Sequence, residues 1–134
     1  MPEAGFVIQG DVIGNLALRS TVNSSTSVAL QGGSTNSINI TLPTNDQTFG
    51  YFELNRNSLV KWNKSGGSWV AWYGTSVSSG TVDLTGLINQ VLYMYGNTSF
   101  GGAWRGSTSL TMDLRGSGTI SGSLSFESGY NESF

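Results

Sequence analysis

Alternation of apolar and polar residues is the feature that most constrains the fold of this 134-residue chain. The stretch SINITL (37–42) places Ile38, Ile40 and Leu42 on one side of an extended backbone, and STSLTMDLRG (107–116) repeats the pattern. Successive side chains of a β-strand point to opposite faces, so this period of two predicts strands with one buried face. No internal repeat is evident in the sequence.

Turn-forming residues separate the alternating stretches. Clusters rich in Gly, Asn, Ser and Pro recur mostly at intervals of about 8–12 residues, which is typical of an all-β sandwich or barrel. They lie at 23–25, 32–34, 43–46, 55–57, 65–67, 78–80, 101–102 and 115–118. We therefore expect one domain over residues 1–134. Its predicted fold is an antiparallel β-sandwich of jelly-roll or Ig-like type with about nine or ten short strands, and a closed barrel is the alternative.

One segment, DLTGLINQVLYMYG (83–96), gives conflicting signals. Thr85 is a suitable N-cap for a short helix through Leu92. Val91, Tyr93 and Tyr95 instead favour an extended chain, because β-branched and aromatic residues fit a pleated surface. We predict a strand over 90–95.

The residue types that are missing exclude much chemistry. The chain has no cysteine and no histidine, which removes Ser-His and Cys-His catalysis and thiolate or imidazole metal sites. Carboxylates are the remaining catalytic candidates, and no calcium or phosphate-binding loop is present. Asp113 and Arg115 lie on one predicted strand face and are expected to form a solvent-side pair. We predict a protein without enzymatic activity, catalytic residues, metal or cofactor.

The surface is expected to be polar and nearly neutral. Six basic and eight acidic residues make up 10% of the chain, against about 25% in ordinary domains. This balance argues against nucleic-acid binding, and without a long apolar stretch we expect no membrane insertion. Ser, Thr, Asn and Gly instead contribute 21, 13, 11 and 19 residues. The opening MPEAGFVIQG lacks the features of a signal peptide, which fits a virion protein or a secreted domain whose signal has been removed.

Three of the four tryptophans lie in KWNKSGGSWVAW (61–72). We predict a hairpin that turns at 64–67 and places Trp62 opposite Trp69. A second aromatic group flanks a predicted loop within 93–106. These aromatic rings fit a core, a contact with another subunit, or a platform for glycans. The candidate contact residues are Trp62, Trp69, Trp72, Tyr73, Tyr93, Tyr95, Phe100 and Trp104.

The first predicted strand, GFVIQG, is apolar and prone to pair with a neighbouring chain. Phe6, Val7 and Ile8 are therefore candidates for strand exchange between subunits. The alternative is that this strand only completes its own sheet.

In organisation the chain resembles two kinds of protein: capsid-decoration or tail-fibre modules of bacteriophages, and pilin or adhesin domains. No motif specific to either is present, so no site residues follow from the resemblance. We expect a non-enzymatic protein of the virion surface that forms homo-oligomers and binds a capsid or tail protein. The alternative is a secreted or fimbrial adhesin domain at the cell surface that binds a glycan through its aromatic residues.

Overall fold

The computed structural model describes residues 6–10, 13–19, 26–33, 36–107, 109–120 and 123–126. This part of the chain contains strands and no helix, and hence no apolar helix of membrane-spanning length. The strands are β1 (Phe6–Gln9), β2 (Ile13–Ala17), β3 (Val28–Gln31), β4 (Asn36–Thr41), β5 (Gln47–Phe49), β6 (Phe52–Asn63), β7 (Trp69–Trp72), β8 (Thr75–Gly86), β9 (Val91–Phe100), β10 (Ala103–Gly106), β11 (Thr111–Ile120) and β12 (Ser123–Phe126).

Every described strand pair is parallel, and the chain winds as a β-solenoid of about four turns. Phe6 aligns with Val28, Val28 with Phe52, and Phe52 with Thr75, so these coils repeat after 22, 24 and 23 residues. Each full coil has three sides, which we name by their residues. Face A comprises 6–9, 28–31, 52–55, 75–77, 98–100 and 118–120; face B comprises 13–17, 36–41, 58–63, 81–86, 103–106 and 123–126; face C comprises 47–49, 69–73, 91–95 and 111–115.

The predicted antiparallel sandwich is therefore wrong, and so is the barrel alternative. Within the described residues, the Gly- and Asn-rich segments that we interpreted as hairpin turns are corners, where the chain bends and continues onto the next face of the same coil. The predicted hairpin over 61–72 does not form: Trp62 pairs with Ile40 on face B, whereas Trp69 pairs with Val91 on face C. The structural repeat also contradicts our expectation of no internal repeat.

Residues 83–106, which include the ambiguous segment 83–96 and the predicted loop within 93–106, are mostly extended. β9 runs from Val91 to Phe100, so the strand predicted over 90–95 is confirmed and the helix alternative is excluded. The loop predicted within 93–106 is wrong, because β9 and β10 occupy nearly all of it and only residues 101 and 102 separate them. β9 turns from face C onto face A at Gly96, whose φ is +71°.

The core fills the inside of the solenoid, where the inward side chains of the three faces meet. Its centre is aromatic: the Trp62 and Trp72 rings stack with centroids 5.2 Å apart, and Phe52 meets Trp62 edge to face at 4.9 Å. Leucine, isoleucine, valine and methionine side chains extend the core along the axis, including Leu30, Ile40, Leu54, Val82, Leu92, Met112 and Leu114.

A buried arginine joins the first coils at the corner between faces A and B. Arg56 is 2% exposed, and its guanidinium group donates hydrogen bonds to the carbonyls of Gly10 (2.6 Å), Gln31 (2.6 Å) and Ile8. In the next coil Gly80 occupies this corner with a φ of +98°, and a Cβ there would lie 2.6 Å from the Arg56 carbonyl oxygen. At this corner glycine fits where two backbone segments come close together. Arginine fits where buried backbone carbonyls would otherwise lack a hydrogen-bond donor.

An ion pair between a buried lysine and a partly exposed aspartate holds the corner between faces B and C. The Lys64 side chain is fully buried, 3.6 Å from the Asp46 carboxylate. One Asp46 oxygen also accepts hydrogen bonds from the amides of Ser68 and Trp69, at 2.6 and 2.8 Å. Burial acts to raise the pKa of Asp46, but these amides and the Lys64 ammonium outweigh it and lower the pKa below its ordinary value of 3.8.

We expect this pair to make the protein acid-sensitive. A carboxylate with a lowered pKa in the folded state stabilises the fold above its unfolded pKa, and that stabilisation is lost as the pH falls through about 4 and below. Asp46→Asn should lower the free energy of unfolding at pH 7 by about 1–3 kcal/mol. Urea unfolding at pH 7 and pH 3 should show a smaller pH dependence in the variant. An unchanged pH dependence would contradict this assignment.

Candidate binding face

The outer side of face A carries a ladder of amide groups. The Gln9 amide donates a hydrogen bond to Gln31 at 3.3 Å, and the Gln31 amide donates to Glu53 at 3.0 Å. These side chains hydrogen-bond one another from coil to coil, so several polar groups on the outer side of face A already have partners within the protein.

Face B carries a different polar ladder. The Asn39 amide donates a hydrogen bond to Asn15 at 3.1 Å, and farther along the axis Arg105 lies 3.9 Å from Asp83. Burial acts to raise the pKa of Asp83, but hydrogen bonds from Thr85 and the nearby charges of Arg105 and Lys61 lower it. The Asn39–Asn15 and Arg105–Asp83 contacts join stacked coils.

Face C is aromatic. Its outward residues are Trp69, Ala71 and Tyr73 in one coil and Tyr93 and Tyr95 in the next, because alternate residues of a strand share a face. The register places Ala71 beside Tyr93. A parallel solenoid thus brings side chains about one coil apart in sequence into direct contact.

The rings of face C contact one another in a fixed arrangement. Tyr73 stacks on Tyr95 with centroids 5.1 Å apart and planes inclined by 27°, and Tyr95 is 6.2 Å from Tyr93. Trp69 meets Tyr93 at 71° and 6.1 Å. Tyr73 remains 52% exposed. Rings that pack in this way lose little conformational freedom when a ligand binds.

An arginine borders the aromatic rings. The Arg115 guanidinium carbon lies 5.1 Å from the centre of the Tyr93 ring, and its Nε donates a 2.9 Å hydrogen bond to Asp113. This hydrogen bond, together with the charge of Asp113, raises the pKa of the Arg115 guanidinium further. Both residues lie on face C with Arg115 exposed, so the predicted solvent-side pair is confirmed.

The small side chain of Ala71 leaves a notch in face C. The notch has a volume of about 310 Å³, opens to solvent, and is lined by Thr48, Trp69, Tyr73, Tyr93, Tyr95 and Arg115 around Ala71. Trp69, on β7, and Tyr73, directly after β7, flank Ala71 along the chain, and Tyr93 stands beside Ala71 on the next coil. The notch combines ring surfaces with hydroxyl and guanidinium groups.

Four of the eight predicted contact residues lie on this face, and the other four lie in the core. Trp69, Tyr73, Tyr93 and Tyr95 come together although they are separated by up to 26 residues (95 minus 69). The remaining four are almost completely buried and out of reach of a partner: Trp62, Trp72, Phe100 and Trp104. For these four, the core interpretation of the aromatic clusters is the one that agrees with the structure.

Sequence reasoning missed three parts of the notch: Thr48, Ala71 and Arg115. Ala71 contributes by being small, which no motif reveals. Arg115 was identified only through its pairing with Asp113. Aligning the chain at the coil period would have placed Ala71 beside Tyr93, and Tyr95 beside Arg115.

The strand-exchange candidates lie at one end of face A. Phe6, Val7 and Ile8 belong to β1, which pairs in parallel with β3. Phe6 and Ile8 pack partly buried against the core, whereas Val7 is 62% exposed. Among the described residues, no strand pairs with the other edge of β1.

The described residues contain no group of three or more acidic side chains that could hold a metal ion. Comparison of the chain with protein-family models, curated proteins and solved structures gave no match. The function must therefore be inferred from the geometry of face C and of the solenoid ends.

Proposed function

We propose that this chain is a non-enzymatic structural module of a virion surface, such as a capsid-decoration or tail-fibre module of a bacteriophage. It associates with copies of itself and with a capsid or tail protein. The observation that carries the proposal is the outer edge of β1, which pairs with no strand of the described chain. A solenoid end of this kind can continue its ladder into a second chain.

The hydrogen bonds of β1 identify which groups face outward. The amides of Phe6 and Gly10 donate to the carbonyls of Ser27 and Gln31 at 2.7 and 3.1 Å. Backbone groups alternate in direction along a strand, so the amides of Val7 and Gln9 point away from β3. Neither amide has a partner among the described residues, so both can donate to a strand from another copy, next to the half-buried rim formed by Phe6 and Ile8.

The composition of the outer surface supports this proposal. Few side chains are charged, and two of the faces carry side-chain amides that hydrogen-bond from one coil to the next. Such a surface favours a stable, displayed scaffold over one that handles charged substrates or nucleic acid.

Blocking the β1 edge should separate the subunits. Val7→Pro removes an outward-facing amide and leaves the hydrogen bonds between β1 and β3 intact, because the ring replaces an N–H that points away from β3. Light scattering should give a mass above that of the 14.2 kDa chain for the unaltered protein at about 100 µM, and a mass near 14.2 kDa for the variant.

Val7→Thr is the matched control, since it retains the amide and the branched shape. It should associate like the unaltered protein. A monomer at every concentration, or equal association of the Pro and Thr variants, would refute self-association through β1.

The second candidate function is that of a secreted or fimbrial adhesin domain. The observation that favours it is face C, where the exposed ring of Tyr73 and the half-buried rings of Trp69, Tyr93 and Tyr95 stand beside an arginine. These residue types are enriched where proteins recognise partners. In that role the solenoid is the rigid support, and face C is the adhesive surface.

A further inference from the structure

The notch around Ala71 has the form of a small-ligand site. Its 310 Å³ volume lies at the lower end of the range for ligand pockets, about 300–1,000 Å³. Trp69 and Tyr73 form opposite walls because they flank Ala71 along the chain, Trp69 on β7 and Tyr73 directly after it, and Tyr93 stands beside the floor in the next coil. Trp69 and Tyr93 belong to regular strands, Tyr73 directly follows β7, and each ring contacts a neighbouring ring, so the site exists before any ligand arrives.

The size of face C argues against a protein partner at this surface. Its four strands lie about 4.8 Å apart, and its outward residues extend over about five residues of about 3.4 Å each. The face therefore covers roughly 300 Å², whereas a stable protein interface needs about 800 Å² from each partner. Face C fits a ligand of one or a few rings.

The charges of the notch restrict the ligand further. Arg115 borders it, which disfavours a cationic ligand such as a quaternary ammonium group. Asp113 is bonded to Arg115 at 2.9 Å, so the pair is neutral overall and offers little net attraction to an anion. The Nη groups of Arg115 make no hydrogen bond with the described residues, so they can donate to an uncharged acceptor.

Taken together, these features match one chemical class. A pyranose ring has apolar C–H faces that stack on aromatic rings and a rim of hydroxyl groups that accept and donate hydrogen bonds. We propose that the notch binds a neutral pyranose residue of a glycan. The sugar stacks against Tyr73 or Trp69, and its hydroxyl groups bond to Arg115 and Thr48. This inference rests on the second candidate function, that of an adhesin domain whose adhesive surface is face C.

Two substitutions test this site, one at Ala71 on β7 and one at Tyr73 directly after β7. Ala71→Tyr fills the notch with a residue that suits a strand, and Tyr73→Ser removes an exposed wall. Leu59→Ser is the matched control, because Leu59 is an exposed apolar residue on face B. Circular dichroism and the melting temperature establish whether each variant is folded. If one of the two site variants does not fold, the other is sufficient for the test.

The unaltered chain is screened on an array of neutral and acidic oligosaccharides, and hits are titrated by calorimetry. We expect binding to glycans with neutral pyranoses, weakened at least about tenfold by Ala71→Tyr and by Tyr73→Ser and unchanged by Leu59→Ser. The absence of any hit would overturn the inference, as would hits confined to acidic glycans or affinities that the site variants leave unaltered. Val7→Pro should bind glycans as tightly as the unaltered protein, because Val7 lies on face A and the notch lies on face C. Loss of glycan binding and loss of self-association through β1 can therefore be told apart.

Discussion

Arg56→Met is expected to lower the free energy of unfolding by about 3–5 kcal/mol, one of the two largest effects that we expect from a single substitution. The guanidinium group donates to carbonyls of two preceding coils, those of Ile8 and Gly10 in the first and of Gln31 in the second. Hydrogen bonds from a charged donor contribute about 1.5–3 kcal/mol each. Methionine fills most of the volume and leaves three carbonyls without this donor, and water entering the corner recovers part of the loss.

Urea unfolding followed by tryptophan fluorescence measures this effect. Lys61→Met is the matched control, since it removes one positive charge from the outer side of face B, and it should cost less than about 1 kcal/mol. Hydrogen exchange adds a local measurement: the amides of β1 and β3 should lose protection more than those of β9. Equal losses from the Arg56 and Lys61 substitutions would refute the role of Arg56 as a link between coils.

The strands of this protein follow from its sequence, but their direction does not. Alternation at Ile38, Ile40 and Leu42 reports which side chains are buried, and it is the same whether the neighbouring strand runs parallel or antiparallel. The corners add to the ambiguity. Gly66 and Gly67 suit a hairpin turn as well as a bend from face B to face C, and only the pairing of β6 with β4 and β8 distinguishes the two.

The coil repeat escaped notice because its inward positions change identity. Val28 is followed along face A by Phe52, then by Thr75 and Thr98. The spacing also shifts between 22 and 24 residues. A solenoid needs only that each position fill its share of the core, so a β-branched residue and an aromatic one can occupy equivalent places.

The sequence could not divide the eight candidate aromatic residues into core residues and surface residues. Trp69 and Trp72 lie three residues apart, so they point to opposite sides of β7. Which side is the core depends on the curvature of the coil, and therefore on the fold that the sequence did not reveal. The notch depends in addition on Ala71, where the informative feature is the absence of a large side chain.

Trp72→Ala and Trp69→Ala should separate the two sides of β7. Trp72 is fully buried between Phe49, Phe52 and Trp62, with ring centroids 4.8, 5.7 and 5.2 Å away. Its removal should lower the free energy of unfolding by about 3–5 kcal/mol, because the rigid coils cannot collapse into the cavity. Trp69 is partly exposed and contacts Tyr93 edge to face, so its removal should cost about 1 kcal/mol.

Trp72→Phe refines this test. The Trp72 indole Nε1 is buried without a hydrogen-bond partner among the described residues. The phenylalanine ring is smaller than the indole, which destabilises the core, but the substitution also removes an unpaired buried donor. The free energy of unfolding should therefore fall by less than about 1.5 kcal/mol. Denaturant titration of the three variants gives the stabilities, and the glycan array gives the function: only Trp69→Ala should fold normally yet bind more weakly. Equal stability losses at positions 69 and 72 would mean that the solenoid does not separate an aromatic core from an aromatic binding face.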